Sequence, residues 1–387
     1  MRHAAAATLL LAGLCSGRTL EAQSWSAVDA AVQRGVRQRT YPGAVVVVGR
    51  RDTILYARGF GRLSWSSRSP RPDPGKTLWD LASLTKVVAT TSTAMVLVDR
   101  GLLDLATPVV RYLPSFGGSP DRDAVTVRML LDHTSGLPPY APLYRQPTRE
   151  DALAVVATEP LERAPGVSAR YSDLNAILMG LVIEEVEAEP LDLAAARLVF
   201  APLGMRHTRF GAASGDLRQT APSRMDRGVA VAGVVNDENA VRLGGTAGHA
   251  GLFATGRDLA RFAQGWLAKG ESPGGRWVSE ATMRQFLERS PQSGTRALGW
   301  DTPDTVAVPS MFGTMAHDGV VGHTGWTGTS LWIDPAQNLF VVFLTNRSLS
   351  QQVRRSLRDI RLVRADVADA ARRSAQGSCL AAHGTGC

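Results

Sequence analysis

The amino-acid sequence predicts an α/β fold of the α+β type: an antiparallel sheet flanked by helices, with a mostly helical subdomain inserted into it. Three observations predict it. Apolar β-branched runs, paired around short polar turns, stand near both ends of the chain. Helical periodicity fills much of the stretch between them, and a further helical pattern lies outside each pair. Strands from distant segments then have to share one sheet, with the helical middle covering one side of it. Clefts between such subdomains commonly hold active sites.

The elements follow in order. "SAVDAAVQRGVRQ", residues 26–38, reads as an amphipathic helix, and "GAVVVVGRRDTILYARGFG", residues 43–61, as a hairpin around a polar turn. From residue 83 to about 187 the pattern is largely helical, broken by Pro/Gly-rich loops such as "GLPPYAPLY". "GTSLWIDPAQNLFVVFLTNR", residues 328–347, gives a second hairpin with Pro335 to Asn338 as its turn, and a final helix spans about residues 351–373. Its stretch "RRSLRDIRLVR" reads as a solvated face. The organisation expected is one domain over residues 23–375, with the helical subdomain at roughly 84–240 and a tail at 376–387.

The first 22 residues read as an export signal. Arg2 and His3 precede the apolar run "AAAATLLLAGLC", and "LEAQ" offers cleavage after Ala22. The run is too short to span a membrane. Cys15 raises a lipid anchor, but Leu14 is larger than the residue that normally precedes a lipidated cysteine, so a secreted or periplasmic protein is expected. Cys379 and Cys387 would then remain, eight positions apart, able to close a small terminal loop and unsuited to catalysis.

The chain of 387 residues is 44% hydrophobic and carries a formal charge of +8 from arginines scattered along its length. No basic run interleaves with aromatics, which argues against nucleic-acid binding. The seven histidines are scattered and no H-E-x-x-H occurs, so neither a metal nor a cofactor is expected. His133 and His249 read as structural histidines, and Trp300 and Trp326 as either core or pocket residues.

In "DLASLTKVVATTS", residues 80–92, Ser83 is either the cap of an apolar helix or a nucleophile with Lys86 one turn on. The chain has only three lysines, and an isolated Ser-x-x-Lys is a weak pattern. Two further stretches give it company. "PGVSARYSDLNAILMGLVIEEV" sets Tyr171 and Asp173 at a loop-to-helix junction, and "VGHTGWTGTSLWIDP" opens a strand with His323, Thr324 and Gly325.

Together these stretches resemble the three signatures of the serine β-lactamase and penicillin-binding protein superfamily, in its class C-like branch: S-x-x-K, Y-x-N, and K-T-G or H-T-G. "LLDHTSGLP", "FAPLGMRHT" and "LGGTAGHAGLFATGRDLARFAQ" resemble recurrent segments of that branch, and the likeness covers about residues 43–347. It implies a β-lactamase/transpeptidase-like fold and an acyl-enzyme on Ser83. Lys86 and Tyr171 would handle protons, either one being the base. The amides of Ser83 and Trp326 would form the oxyanion hole. Desolvation is expected to lower the Lys86 pKa.

Thr324 and His323 would hold a substrate carboxylate, His323 becoming cationic only below about pH 6.5. Gly325 would leave room for substrate against the backbone. Asp173 stands where the signature usually has Asn. As a carboxylate it only accepts hydrogen bonds, and near Lys86 it would favour the ammonium. Replacing it with Asn is expected to alter substrate ranking more than folding. The implied substrates are β-lactams or peptidoglycan-derived peptides and amides. The alternatives are a small-ester carboxylesterase of the same fold, or a non-catalytic cell-wall-peptide binder.

Overall fold

A computed structural model describes residues 25–212, 214–303, 311–314 and 316–383. The expected leader with Cys15, and Cys387 of the proposed terminal pair, lie outside the described residues. Helix α1 (Ser26–Arg37) leads into strands β1 (Gly43–Arg50) and β2 (Thr53–Gly61). Far along the chain, β3 (Val321–Thr324), β4 (Ser330–Asp334) and β5 (Leu339–Thr345) complete one antiparallel sheet in the order β3-β4-β5-β1-β2. Val46 of β1 faces Phe343 of β5 on one side and Arg58 of β2 on the other.

The run of valines in β1 follows from burial on both faces. Ala44, Val46 and Val48 pack with Val28 and Val32 of α1 and with Val363 and Val367 of the last helix, α5 (Val353–His383). Val45 and Val47 belong to the larger core on the other face. That face is covered by α4 (Gly256–Leu267), where a Cβ on Gly256 would come 2.8 Å from Val45. Between the two halves of the sheet lie the helical elements, including α2 (Ser92–Asp99) and α3 (Asp173–Glu187).

Three features depart from the sequence reading. A second antiparallel sheet joins Trp79–Asp80, Leu252–Ala254 and Arg209–Phe210, with Leu252–Ala254 in the middle. Strands of two or three residues carry no alternation to read. The segment Lys86–Thr91 is wound as a π-helix ahead of α2, a form often found at functional sites. The last helix runs past Arg373 to His383, through the stretch read as the start of a tail, where alanine-rich sequence favours helix. No described helix is long and apolar enough to cross a membrane.

Candidate active site

Ser83 lies in the turn that leaves the short strand Trp79–Asp80 and enters the helical segment. Two devices fix that turn. The Asp80 carboxylate accepts from the amides of Ala82 (2.9 Å) and Asn236 (2.7 Å) and from the Ser223 hydroxyl (3.1 Å). Ala82 adopts φ 47°, a left-handed conformation costly for a residue with a Cβ. Burial raises the Asp80 pKa to about 6 against these hydrogen bonds.

The Ser83 hydroxyl points to lysine rather than capping the helix. Lys86 Nζ is 3.1 Å from Ser83 Oγ, 3.1 Å from the His249 carbonyl and 2.7 Å from Asp173 Oδ1. Only 3% of the Lys86 side chain is exposed. Burial alone lowers its pKa, as the sequence reading supposes. The Asp173 carboxylate, and then Tyr171, outweigh burial and raise the pKa above the ordinary lysine value. The lowered lysine pKa is therefore corrected: this residue is an ammonium at neutral pH. Asp173, at the first turn of α3, is the expected departure from Asn, and its carboxylate meets Lys86 directly.

The Tyr171 ring is boxed by cations and imidazoles. Lys86 Nζ is 5.0 Å from its centroid and the Arg296 guanidinium carbon 4.9 Å, while the His133 and His323 rings lie at 4.8 and 5.8 Å. His133 Nδ1 accepts from the Ser172 amide at 3.3 Å and sits 3.2 Å from Asn175 Nδ2, so its proton is on Nε2. His249 is buried against Asp237 at 3.0 Å.

His323 changes the expected electrostatics. It is 4% exposed, and its Nδ1–H donates to the Thr324 carbonyl at 2.8 Å. Burial, and then the cations Arg296 and Lys86, hold its pKa well below the ordinary imidazole value. A cationic His323 near pH 6 is thus overturned, because the charge would be desolvated among other positive charges. The cation that lines the cleft beside it is Arg296, loosely paired with Asp301 at 3.6 Å.

His323 and Thr324 close β3 at the cleft rather than opening a strand, and Gly325 follows it, next to the exposed Trp326 side chain; Trp300 is fully buried core. A Cβ on Gly325 would fall 2.2 Å from Thr329 Oγ1 and 2.5 Å from the Leu81 carbonyl. The missing side chain lets the strand end press on the turn that carries Ser83. Among the described residues, neither the Ser83 nor the Trp326 amide donates to a backbone carbonyl. The cleft so formed has a volume of about 900 Å³.

Of the residues singled out in the sequence, the structure places Ser83, Tyr171, Asp173 and residues 323–326 along this cleft, with Lys86 bonded to Ser83. Sequence reading missed Asp80, Arg296, Arg347 and Arg364. Asp80 stood inside the quoted motif, three residues before Ser83. The arginines carried no local signal, since arginine is scattered throughout the chain. Arg364 closes the "RRSLRDIRLVR" stretch read as solvated, yet it is 5% exposed.

This fold and cleft define a serine hydrolase of β-lactamase/transpeptidase type. The family model described as Beta-lactamase matches residues 28–365, and the chain belongs to that family. The N-acetylmuramyl-L-alanine amidase of Bacillus subtilis (strain 168) is 32% identical over 354 residues, spanning 83% of this chain and 80% of that protein. The solved structure of EstCE1, a hydrolase with promiscuous acyltransferase activity, gives a TM-score of 0.70 at 24% identity, covering 91% of this chain and 99% of that one. A class C β-lactamase from Rhodobacter sphaeroides gives 0.68 at 22% identity, with 87% and 98% covered. These two likenesses show the fold.

Proposed function

We propose that the protein is an exported hydrolase that forms an acyl-enzyme on Ser83 with peptidoglycan-derived amides or peptides, or with β-lactams. The observation that carries this reading is the buried Lys86 ammonium bonded at once to the Ser83 hydroxyl and the Asp173 carboxylate. The amidase relative supports the choice of substrate class, and the leader-like first 22 residues support export.

The chemistry follows from that proton arrangement. Moving one proton across 2.7 Å, from Lys86 Nζ to Asp173 Oδ1, leaves a neutral amine 3.1 Å from Ser83 Oγ without any change in net charge. The amine takes the Ser83 proton as Oγ bonds to the substrate carbonyl carbon. The amides of Ser83 and Trp326 receive the oxyanion. The C–N or C–O bond then breaks, and the leaving group takes a proton passed by Lys86 and Tyr171. Water attacks the Ser83 ester by the reverse route. Thr324 and Arg296 hold a substrate carboxylate, Arg296 supplying the permanent charge that His323 lacks. Residues 23–375 would act as one domain.

A turnover panel tests the proposal: a muramyl-L-alanine peptide, a D-alanyl-D-alanine peptide, benzylpenicillin and nitrophenyl butyrate, each with wild type and Ser83→Ala. Turnover of an amide or the β-lactam that falls about 10³-fold or more in Ser83→Ala is expected. Turnover of the nitrophenyl ester alone would replace this substrate class with small esters. Tight muropeptide binding, equal in both proteins and without product, would make it a binder instead.

A further inference from the structure

The Trp326 amide shares a peptide plane with the Gly325 carbonyl, and in a trans peptide the two point in opposite directions. Behind that plane sits Arg364 of α5. Its Nη2 donates to the Gly325 carbonyl at 2.7 Å and to the Thr329 carbonyl at 2.8 Å. Arg347 grips the next peptide, its Nε donating to the Trp326 carbonyl at 2.8 Å. Arg364 and Arg347 are 5% and 1% exposed, and among the described residues neither pairs with a carboxylate. Arg364 Nε has no partner at all among them.

We propose that Arg364 is a positioning residue for the oxyanion hole, its guanidinium orienting and polarising the Gly325–Trp326 peptide so that the Trp326 N–H meets the negative charge formed at Ser83. This rests on the reading of that amide as an oxyanion donor. A charged donor on the carbonyl strengthens the N–H of the same peptide, because hydrogen bonds in a chain polarise one another. The charge itself also lies behind the site where the oxyanion forms, in a region of low dielectric. A purely structural role accounts poorly for it. A buried charge without a counter-ion is a burden to folding, and replacing buried ionic groups by apolar ones of similar volume is often neutral or stabilising. Burial, and then Arg347 and Arg361, press its pKa down to about 9, the mark of an uncompensated charge.

The test compares full-length wild type, Arg364→Met and Arg364→Lys in nitrophenyl butyrate hydrolysis, thermal unfolding, and affinity for phenylboronic acid, which forms a tetrahedral adduct on a reactive serine. In Arg364→Met, kcat is expected to fall about 10- to 100-fold with KM within twofold. Boronate affinity should fall by the same factor and the unfolding temperature should hold. Arg364→Lys, which keeps a charge and one bond, should recover part of the loss. Unchanged kcat in Arg364→Met overturns the proposal while leaving the Ser83 reading intact. So does a kcat loss that boronate affinity does not follow. Failure of both variants to fold also overturns it, since it would make the residue structural. No boronate adduct and no turnover in wild type would remove the Ser83 reading itself, and this proposal with it.

Discussion

On the helical wall of the cleft, the Lys86 ammonium lies 2.7 Å from the Asp173 carboxylate; on the strand wall, the buried Arg347 and Arg364 donate to carbonyls and a hydroxyl, Arg347 also stacks on the Trp326 ring, and among the described residues neither meets a carboxylate. The first wall can shift a proton within the pair and keep its net charge. The second cannot: its guanidiniums remain charged at neutral pH, and their field is fixed. On the proposed mechanism, proton handling and charge stabilisation fall on different walls, with the substrate carbonyl between them.

The comparison breaks most visibly at Lys86. Lys86→Met should lower the acylation rate about 10³- to 10⁴-fold, measured as the nitrophenyl burst, with circular dichroism unchanged. A variant that keeps a tenth of the rate would show that the first wall does not manage the proton. Asp173→Asn sharpens the same point through pH. Because the Lys86 pKa is raised beyond the neutral range, wild-type kcat/KM should be flat from about pH 7 to 9. Without the carboxylate, burial dominates and the lysine pKa falls. The amine must then lose its proton to water, and the rate should climb about tenfold per pH unit below that new pKa. A flat profile in the variant would contradict the pair.

Smaller effects belong to the strand wall and the turn beneath it. Arg296→Met should raise KM about 5- to 20-fold for carboxylate-bearing substrates and leave neutral esters unaffected. In wild type, the ratio between those substrates should not rise as pH falls toward about 6, because burial and the neighbouring cations hold the His323 pKa well below the ordinary imidazole value. A ratio rising toward pH 6 would return the role to His323.

Asp80 gives the smallest expected effect, on stability. Its folded pKa is raised, so its stabilising contribution is full below the ordinary carboxylate value and is lost as pH rises through about 6. Asp80→Asn cannot titrate. The variant should be less stable than wild type at pH 4.5 and lose part of that deficit by pH 7.5, by at most about 3 kcal/mol, as read in urea melts. A constant gap would place the Asp80 pKa near normal.

The strand-rich ends were legible because the hairpins carry long β-branched runs, and the turn at Pro335 to Asn338 falls between β4 and β5 as expected. Ser83, Lys86, Tyr171 and Asp173 were legible because each stands in a short motif with neighbours. The charge state of the site was not. Asp173 was seen to favour the ammonium, but whether it outweighs burial depends on a 2.7 Å contact between residues 87 positions apart, 173 − 86. His323 looked like a pH-dependent cation because nothing in "VGHTGW" reveals that Arg296 and burial converge on it. Arg364 was hidden by its own company: Arg354, Arg355, Arg358 and Arg361 of the same stretch are exposed, and one helical turn later the same residue type is inside.

The most direct measurement of the central claim is a rapid-quench peptide map of the protein reacting with nitrophenyl butyrate. A transient butyryl mass is expected on the peptide containing Ser83, formed at the burst rate and lost at the turnover rate. Product release with no label on that peptide, or with label on another residue, would contradict it.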